Sequence, residues 1–201
     1  MHLYKITNYL SPDRILDIGA NIGQFHQEAK QSFPNSFIFS IEASNECEEH
    51  LKQITDNYFI GMLAKDNNSY DYFSRKDAPT GTGNSYYREL THYYSDENLD
   101  IIKKNRIKLD DLFEEDSVFD LIKIDTQGSE LDIIEGGIEL CKKAKGILLE
   151  VSLTQYNENS PLYDEVIQFM DNIGFKPVEE LGYGHHPTTG ELIQKDILFT
   201  R

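Results

Sequence analysis

Short apolar runs alternate with amphipathic stretches along most of the chain. The runs are nearly continuous in Ile, Leu, Val and Phe, which is the pattern of strands buried on both faces of a parallel sheet. Five of them predict parallel strands, at residues 14–19, 37–42, 58–64, 120–125 and 146–151. The alternation of such strands with helices predicts a doubly wound α/β fold with helices on both faces of the sheet.

Two helices are predicted most clearly by a 3.6-residue apolar period, at residues 129–144 and 161–174. The second has one apolar stripe, formed by Leu162, Val166, Phe169, Met170 and Ile173. Pro161 suits its first turn and Gly174 its C-terminal stop. The first contains Gly136 and Gly137, which weaken a helix, so we expect a break or close packing there.

The last two apolar runs, at residues 175–180 and 194–200, leave no room for a helix between them. We therefore expect them to pair antiparallel at one edge of the sheet. Five parallel strands and this pair give a seven-stranded, mostly parallel, Rossmann-like sheet of expected order 3-2-1-4-5-7-6. The whole chain, residues 1–201, is predicted to be a single domain.

Residues 66–100 break the alternation. This stretch is polar and rich in tyrosine, and glycine, proline and asparagine interrupt it repeatedly. A connection longer than about 12–15 residues is usually functional or disordered. We therefore expect a long Tyr-rich insertion or lid, in which residues 70–74 could pair as a short edge strand.

Charge and composition limit the classes of partner and the cellular compartment that we expect for this protein. The chain has 35 acidic and 19 basic residues, a formal net charge of −16, which repels phosphate backbones and argues against a nucleic-acid partner. Its two cysteines lack metal-ligand spacing and are too few for a disulfide framework, so we expect a cytoplasmic protein. Residues 1–10 do not resemble a signal peptide, and we expect no membrane span because no apolar run approaches about 18 residues.

The best motif is DIGANIG, residues 17–23, where the first strand turns into the first helix. Gly19 and Gly23, with Ala20 and Asn21 between them, would let the backbone approach a ligand closely. Asp17 would take an ammonium group. A second acid, Glu42, ends the next strand beside Ala43 and could accept both hydroxyls of a ribose.

This motif has three possible interpretations. Asn21 stands where a dinucleotide fingerprint has its middle glycine, and an acid precedes the first glycine, so S-adenosylmethionine is favoured over NAD. The third interpretation is that the glycines only ease a tight turn. The acids Asp17 and Glu42, in register on neighbouring strands, favour a cofactor site.

Six segments, in the same order, resemble FkbM-family methyltransferases. They are ILDIGANIGQF (15–25), FSIEAS (39–44), KLDDL (108–112), LIKIDTQGSELDIIEGG (121–137), LLEVS (148–152) and QKDILF (194–199). The resemblance implies a class I methyltransferase fold, S-adenosylmethionine as methyl donor, and O-methylation of hydroxyls on sugars, glycolipids or macrolide-type compounds.

The same resemblance implies roles for individual residues. Those implied as cofactor contacts are Asp17, Gly19, Asn21, Gly23 and Glu42. Asp125 and Glu130 match the two acids of the family's D-x-x-G-x-E pattern. Gln127 stands where relatives commonly have glutamate, which puts a metal role there in doubt, and the Tyr-rich insertion matches no family pattern.

Catalytic candidates follow from where the predicted strands end. Asp125 and Glu150 would lie at the carboxyl edge of the sheet, where open α/β folds bind ligands, and either could take a proton from an acceptor hydroxyl. Asp125 could instead cap the following helix or pair with Lys123, and Glu150 could be a structural acid. Together they could hold Mg²⁺, although nothing makes that specific and no protein metal site is predicted. His185, in the GYGHHPTTG loop, is a third candidate base.

The sequence therefore predicts an S-adenosylmethionine-dependent O-methyltransferase that acts on a hydroxyl of a sugar, glycan or similar small molecule. Two alternatives stay open. One is a catalytically silent, cofactor-binding subunit of a biosynthetic complex, and the other is an NAD-dependent reductase.

Overall fold

The computed structural model describes residues 1–201 and contains ten strands and six α-helices. The strands are Arg14–Ile18 (β1), Phe37–Glu42 (β2), Tyr58–Ile60 (β3), Met62–Leu63 (β4), Ser69–Arg75 (β5), Leu99–Ile107 (β6), Leu121–Ile124 (β7), Gly146–Ser152 (β8), Lys176–His185 (β9) and Leu192–Thr200 (β10). The helices are Gln24–Ser32 (α1), Glu48–Lys52 (α2), Leu109–Leu112 (α3), Glu130–Gly136 (α4), Ile138–Cys141 (α5) and Tyr163–Asn172 (α6). Short 3₁₀ helices cover Leu3–Asn8, Asn45–Cys47, His92–Tyr94 and Asp96–Asn98.

Seven strands form one sheet in the order β3-β2-β1-β7-β8-β10-β9. All neighbours in it are parallel except β10, which runs antiparallel to β8 and to β9. When only the strands of this sheet are numbered, the order is the expected 3-2-1-4-5-7-6. The predicted fold is therefore confirmed, including the antiparallel pair at the edge.

Successive residues of the central strands enter two separate hydrophobic cores. Leu16 of β1 and Ile122 of β7 belong to the larger core, whereas their neighbours Ile15 and Leu121 belong to the smaller one. The smaller core also takes Leu3 and Ile6 from the N-terminal 3₁₀ helix and Phe25 from α1. Burial on both faces is the physical reason why these strands have nearly unbroken apolar sequences.

Two strand boundaries differ from the expectation. The run at residues 58–64 divides at Gly61, so that β3 pairs with β2 in the main sheet and β4 pairs with β6 in a second sheet. β9 continues to His185, ten residues in all, so the hairpin loop begins only at His186. Pairing of His185 with Leu192 across the hairpin extends both strands beyond the predicted runs, which ended at residue 180 and began at residue 194.

Part of the Tyr-rich segment forms a small three-stranded sheet in the order β4-β6-β5. β5 pairs antiparallel with β6 from Ser69 to Arg75 and buries Tyr72 and Ser74 on its inner face. The expected pairing of residues 70–74 is confirmed. The remaining residues, 76–98, connect the two strands and carry two short 3₁₀ helices.

The predicted helix at residues 129–144 is two helices, with the break at Gly137. A Cβ atom at Gly136 would lie 2.1 Å from the carbonyl oxygen of Ala64, and one at Gly137 would lie 2.6 Å from Cβ of Leu109. Both expectations for this glycine pair, a break and close packing, are confirmed. The model contains no helix with the length and apolar character needed to cross a membrane.

Candidate functional site

A cavity of about 330 Å³ opens at the carboxyl ends of β1, β2 and β7. Its walls come from the β1–α1 loop, the end of β2, β4 and the β7–α4 loop, and residues 81–86 of the insertion form part of its lining. The volume lies near the lower end of the range of roughly 300–1,000 Å³ that small-ligand pockets have. The position is where open α/β sheets bind ligands.

The β1–α1 loop is shaped by residues with positive φ. Gly19 has φ of +76°, and a Cβ atom there would lie 1.8 Å from the carbonyl oxygen of Asp125. Asn21 also has positive φ, at +49°. The N–H groups of Gly19 and Ala20 both donate to the carbonyl of Ile41, at 2.9 and 3.0 Å. The loop is therefore fixed against β2 and β7, with Gly19, Ala20 and Asn21 lining the cavity.

Gly23 is not among the cavity-lining residues. It precedes α1 with φ of +87°, and a Cβ atom there would lie 2.5 Å from Cδ1 of Ile54. Its position permits close packing of α1 against the chain that follows α2. Gly23 therefore packs against Ile54 and does not line the cavity.

Glu42 lies at the end of β2 with its residue surface 7% exposed and its side chain in the cavity wall. Its Oε2 accepts the N–H of Asn21 and its Oε1 accepts the N–H of Ser44, each at 2.7 Å. Burial raises the pKa of this carboxyl, and the two backbone N–H groups oppose that rise. Each carboxylate oxygen retains a lone pair for a further donor. Ala43 lies beside it in the wall.

Asp17 is fully buried and does not line the cavity. Its Oδ1 lies 3.3 Å from Nζ of Lys123, and that amine also donates to the carbonyl of Gly19 at 3.0 Å. Lys123, which does line the cavity, therefore stands between Asp17 and the space where a ligand would bind. The expected direct contact of Asp17 with an ammonium group does not match this arrangement.

The β7–α4 loop carries Asp125, whose side chain is 33% exposed. Its Oδ1 accepts a hydrogen bond of 3.2 Å from the Gln127 amide, and its Oδ2 lies 3.6 Å from Nζ of Lys123. Gln127 has φ of +58° and Gly128 has φ of +103°. The N–H of Gly128 donates to the Glu130 carboxylate. Asp125 lines the cavity and does not cap α4, whose N-cap residue is Ser129.

Glu130 holds this loop from the first turn of α4. Its Oε1 accepts the N–H of Thr126 at 2.8 Å, and both its oxygens accept the N–H of Gly128. Burial raises the pKa of its carboxyl to about 7, against the opposing pull of these N–H groups. Glu130 therefore shapes the loop that presents Asp125.

The insertion lies against all three strand ends around the cavity. The side-chain amide of Asn21 donates to the carbonyl of Thr80 at 3.0 Å. The Ser44 hydroxyl, which donates to the Glu46 carboxylate at 2.6 Å, lies 3.3 Å from the carbonyl oxygen of Pro79. The hydroxyl of Ser85 donates to the carbonyl of Thr126 at 2.9 Å. Residues 79–86 therefore form a roof, and we use that name for them below.

Residues 17–183 match the family model of the methyltransferase FkbM domain. This range covers most of the chain and includes every loop of the cavity. The chain belongs to the FkbM methyltransferase family. No curated protein matches the sequence.

Solved structures show the same fold. An FkbM methyltransferase from Methylobacillus flagellatus KT aligns with TM-score 0.54 and 14% identity over 98% of this chain, which spans 48% of that protein's length. Magnesium protoporphyrin IX methyltransferase from Synechocystis PCC 6803, solved with bound S-adenosylmethionine, aligns with TM-score 0.54 and 9% identity, covering 98% of this chain and 74% of that one. A putative tRNA (m1A22) methyltransferase from Streptococcus pneumoniae gives TM-score 0.53 and 12% identity, covering 98% and 68%.

The residues of this FkbM domain fit S-adenosylmethionine. The lone pairs that remain on Glu42 can accept the two ribose hydroxyls, and Gly19 leaves room for close approach of a ligand to the backbone. Met62, Leu63 and Ile133 give the cavity an apolar wall suited to adenine. These residues would hold the cofactor, whose bound form supplies an electrophilic methyl group.

Glu150 does not line the cavity, although it is predicted as a catalytic acid. Its Oε2 accepts hydrogen bonds from the side-chain amides of Gln127 at 2.6 Å and Gln194 at 3.0 Å. Burial, followed by the charge of Asp125, raises the pKa of Glu150 well above its ordinary value. The structure connects Glu150 to Asp125 only through the shared Gln127 amide.

His185 lies exposed at the end of β9 and is not among the cavity-lining residues, so the structure does not bring this candidate base to the site. Its neighbour His186 packs edge-on against Tyr156, with ring centroids 6.0 Å apart. No group of three or more His, Cys, Asp or Glu side chains in the structure is arranged to hold a metal ion. Asp125 is therefore the one predicted catalytic residue that faces the cavity.

The sequence analysis does not predict two parts of the site, Lys123 and the roof. Lys123 was considered only as a partner of Asp125, although a lysine inside an apolar strand is itself a signal, because lysine is almost never fully buried without a partner. The roof residues carried no signal of position, since their place over the cavity depends on long-range hydrogen bonds.

Proposed function

We propose that this domain transfers the methyl group of S-adenosylmethionine to a hydroxyl oxygen of a sugar, glycan or related small molecule. The observation that supports it best is Asp125, a partly exposed carboxylate in the wall of the cofactor cavity. Methyl transfer to oxygen needs a group that takes the hydroxyl proton, and a carboxylate within hydrogen-bond reach can do so.

The proposed step is an in-line displacement. The acceptor oxygen forms a bond to the methyl carbon while the bond from sulfur to that carbon breaks, which yields S-adenosylhomocysteine. The hydroxyl proton passes to Asp125. Gln127 and Lys123 hold one oxygen of that carboxylate each, and this fixes its direction before the acceptor arrives.

The cavity wall supports a neutral, hydroxyl-bearing acceptor. Tyr72 and Tyr86 lie in it, and tyrosine rings present both an apolar face and a hydroxyl, a combination that suits sugars. The net charge of −16 disfavours nucleic acid. Both cysteines are free and buried, which supports a reducing compartment such as the cytoplasm.

The test is methyl transfer from S-[methyl-³H]adenosylmethionine to a panel of sugars, glycans and small hydroxyl compounds, with amines of similar size as the matched set. We expect label in an O-methyl group, identified by NMR of the product. Transfer to nitrogen alone would contradict O-methylation. Cofactor binding without transfer to any member of the panel would support a silent subunit.

We also propose that residues 66–100 act as a lid, through the roof and the residues that follow it. The cavity of about 330 Å³ suits one small ligand, whereas the reaction needs cofactor and acceptor together. Side-chain hydrogen bonds from Asn21 and Ser85 fasten the roof to the strand ends, and one backbone pair joins Ser85 of the roof to Phe73 of β5. Such contacts can break on the timescale of lid motion at modest cost.

Amide hydrogen exchange tests the lid. Residues 79–95 are expected to exchange faster than β1 and β7 in the free protein, and to slow when S-adenosylhomocysteine and acceptor are both present. β9 serves as the internal control, because it lies at the far edge of the sheet and should not change. Protection of residues 79–95 equal to that of the central strands, with and without ligands, would rule the lid out.

A further inference from the structure

Lys123 is the one charged residue of β7, and it is only 4% exposed. Its Nζ lies 3.0 Å from the carbonyl oxygen of Gly19, 3.3 Å from Oδ1 of Asp17 and 3.6 Å from Oδ2 of Asp125. The same amine lies 5.4 Å from the centre of the Phe25 ring. A single buried ammonium thus joins the β1–α1 loop, which we call the cofactor loop below, to a buried acid and the proposed base.

Asp17 depends on this amine for its charge. It is fully buried, and Lys123 is the only cation within ion-pair distance of its carboxylate. Burial raises the pKa of Asp17, and Lys123 pulls it back. For Lys123, burial alone would lower the pKa, but Asp17 and Asp125 together raise it. Without the lysine, a carboxyl in this place would hold its proton at neutral pH.

S-adenosylmethionine would bring a positive charge close to Lys123 and Asp17. Its sulfonium sulfur is bonded both to the ribose and to the methionine chain. Glu42 fits the ribose and the loop around Gly19 fits the methionine chain, so the sulfonium belongs near the cavity wall that Lys123, Asp125 and Gly19 share. A cation there is bound best by carboxylates that are already ionised.

We propose, on the basis of the function proposed above, that Lys123 is a positioning residue of the cofactor site, which fixes the Gly19 carbonyl and keeps Asp17 ionised for the incoming cationic cofactor. In its absence Asp17, which lies behind the cavity wall, is protonated before binding. The positive charge of the sulfonium then favours the ionised form of Asp17, and the proton passes to the buffer. S-adenosylhomocysteine has no sulfonium, so its binding releases less of this proton. Lys123 thus acts on the cofactor through Asp17 and through the loop backbone.

Other titratable groups face the cluster of Lys123, Asp17 and Asp125. Protons that they release on binding have to be distinguished from a proton released by Asp17. They are Glu42 from β2, Glu150 from β8, Asp196 from β10, and His26 of α1, which contacts Ser40 beside Asp17. Burial raises the pKa of Asp196 to about 6, so it too titrates near neutrality. A variant that lacks both Asp17 and Lys123 keeps the net charge of the cluster and leaves these other groups in place.

The binding enthalpies of S-adenosylmethionine and S-adenosylhomocysteine are measured by calorimetry at pH 7.5, in phosphate and in Tris. Because the two buffers differ in ionisation enthalpy, the difference between the measured values gives the number of protons released on binding. In Lys123→Met we expect S-adenosylmethionine to release about one proton more than in the wild type, with affinity lowered about tenfold. The excess should be smaller with S-adenosylhomocysteine. It should vanish in the double variant Asp17→Asn/Lys123→Met. Lys145→Met, which removes a surface ion pair with Asp120, is the control and should match the wild type.

Several outcomes overturn the proposal. One is a Lys123→Met protein that binds S-adenosylmethionine with wild-type affinity and no excess proton. Another is the same excess in the double variant, which would assign the proton to a different acid. If Lys123→Met fails to fold, the double variant, which buries no unpaired charge, decides the matter. It should bind both ligands about tenfold more weakly because the Gly19 tether is lost, and wild-type affinity there would refute the tether.

Discussion

Replacement of Asp125 by Asn is expected to lower turnover by about 10²–10⁴-fold, the usual contribution of a general base. The change keeps the shape of the side chain and its ability to accept a hydrogen bond from Gln127, but removes the charge that we propose takes the hydroxyl proton. Cofactor affinity should change far less, because Asp125 is not among the residues that fit ribose and adenine, which are Glu42, Met62, Leu63 and Ile133. Single-turnover methyl transfer to an acceptor found by the tritium assay measures the loss.

The control for this substitution is Asp71→Asn. Asp71 is a surface carboxylate paired with Lys103, so its replacement makes the same change in net charge away from the cavity. It should leave turnover within about twofold, since isolated surface ion pairs contribute little. Full turnover in Asp125→Asn would show that the base lies elsewhere. Failure of Asp125→Asn to bind S-adenosylhomocysteine would show instead that the cofactor loop had been disturbed.

Gly19→Ala is expected to be the most damaging single change in the cofactor loop. The new Cβ would lie 1.8 Å from a backbone carbonyl oxygen, that of Asp125, which no side-chain rotation can relieve. Strain at φ of +76° costs about 1–2 kcal/mol and forced displacement of neighbouring backbone about 1–3 kcal/mol more. We therefore expect the free energy of unfolding to fall by about 2–5 kcal/mol.

Gly190→Ala separates the two causes. Gly190 has a similar φ, +72°, but nothing lies within 4 Å of the Cβ that alanine would add. Chemical denaturation should show a loss of only about 1–2 kcal/mol for it. Equal losses in the two variants would mean that β7 and the β1–α1 loop can move apart freely. The fixed geometry described for the site would then be wrong.

The main sheet was predictable because the burial of its strands is visible in their sequences. β1, β7 and β8 are mostly apolar on both faces, which is typical of parallel strands inside a sheet. The last two runs leave no room for a helix between them, which predicts the antiparallel pair at the edge. The break at Gly136–Gly137 was predictable for the same local reason. Glu42 could be placed because a strand end fixes which edge of the sheet its side chain reaches.

Other features depend on contacts that no local pattern carries. Asp17 was expected to meet a ligand directly, but the side chain of Lys123 on the neighbouring strand takes that place. Gly23 was assigned to the cofactor, yet its neighbour is Ile54, which lies beyond α2. The roof reaches the cavity only because β5 and β6 pair, and His185 faces solvent because the β9–β10 hairpin extends past the predicted runs.

The most direct test of the account is a calorimetric titration of the wild type and of Glu42→Ala with S-adenosylhomocysteine, with NAD as the comparison ligand. We predict micromolar binding of S-adenosylhomocysteine to the wild type and no heat with NAD. The Glu42→Ala protein, checked for folding, should bind at least about tenfold more weakly, because a hydrogen bond to a charged group contributes about 1.5–3 kcal/mol. Binding of NAD alone, or an unchanged dissociation constant in Glu42→Ala, would contradict a cofactor site built on this carboxylate.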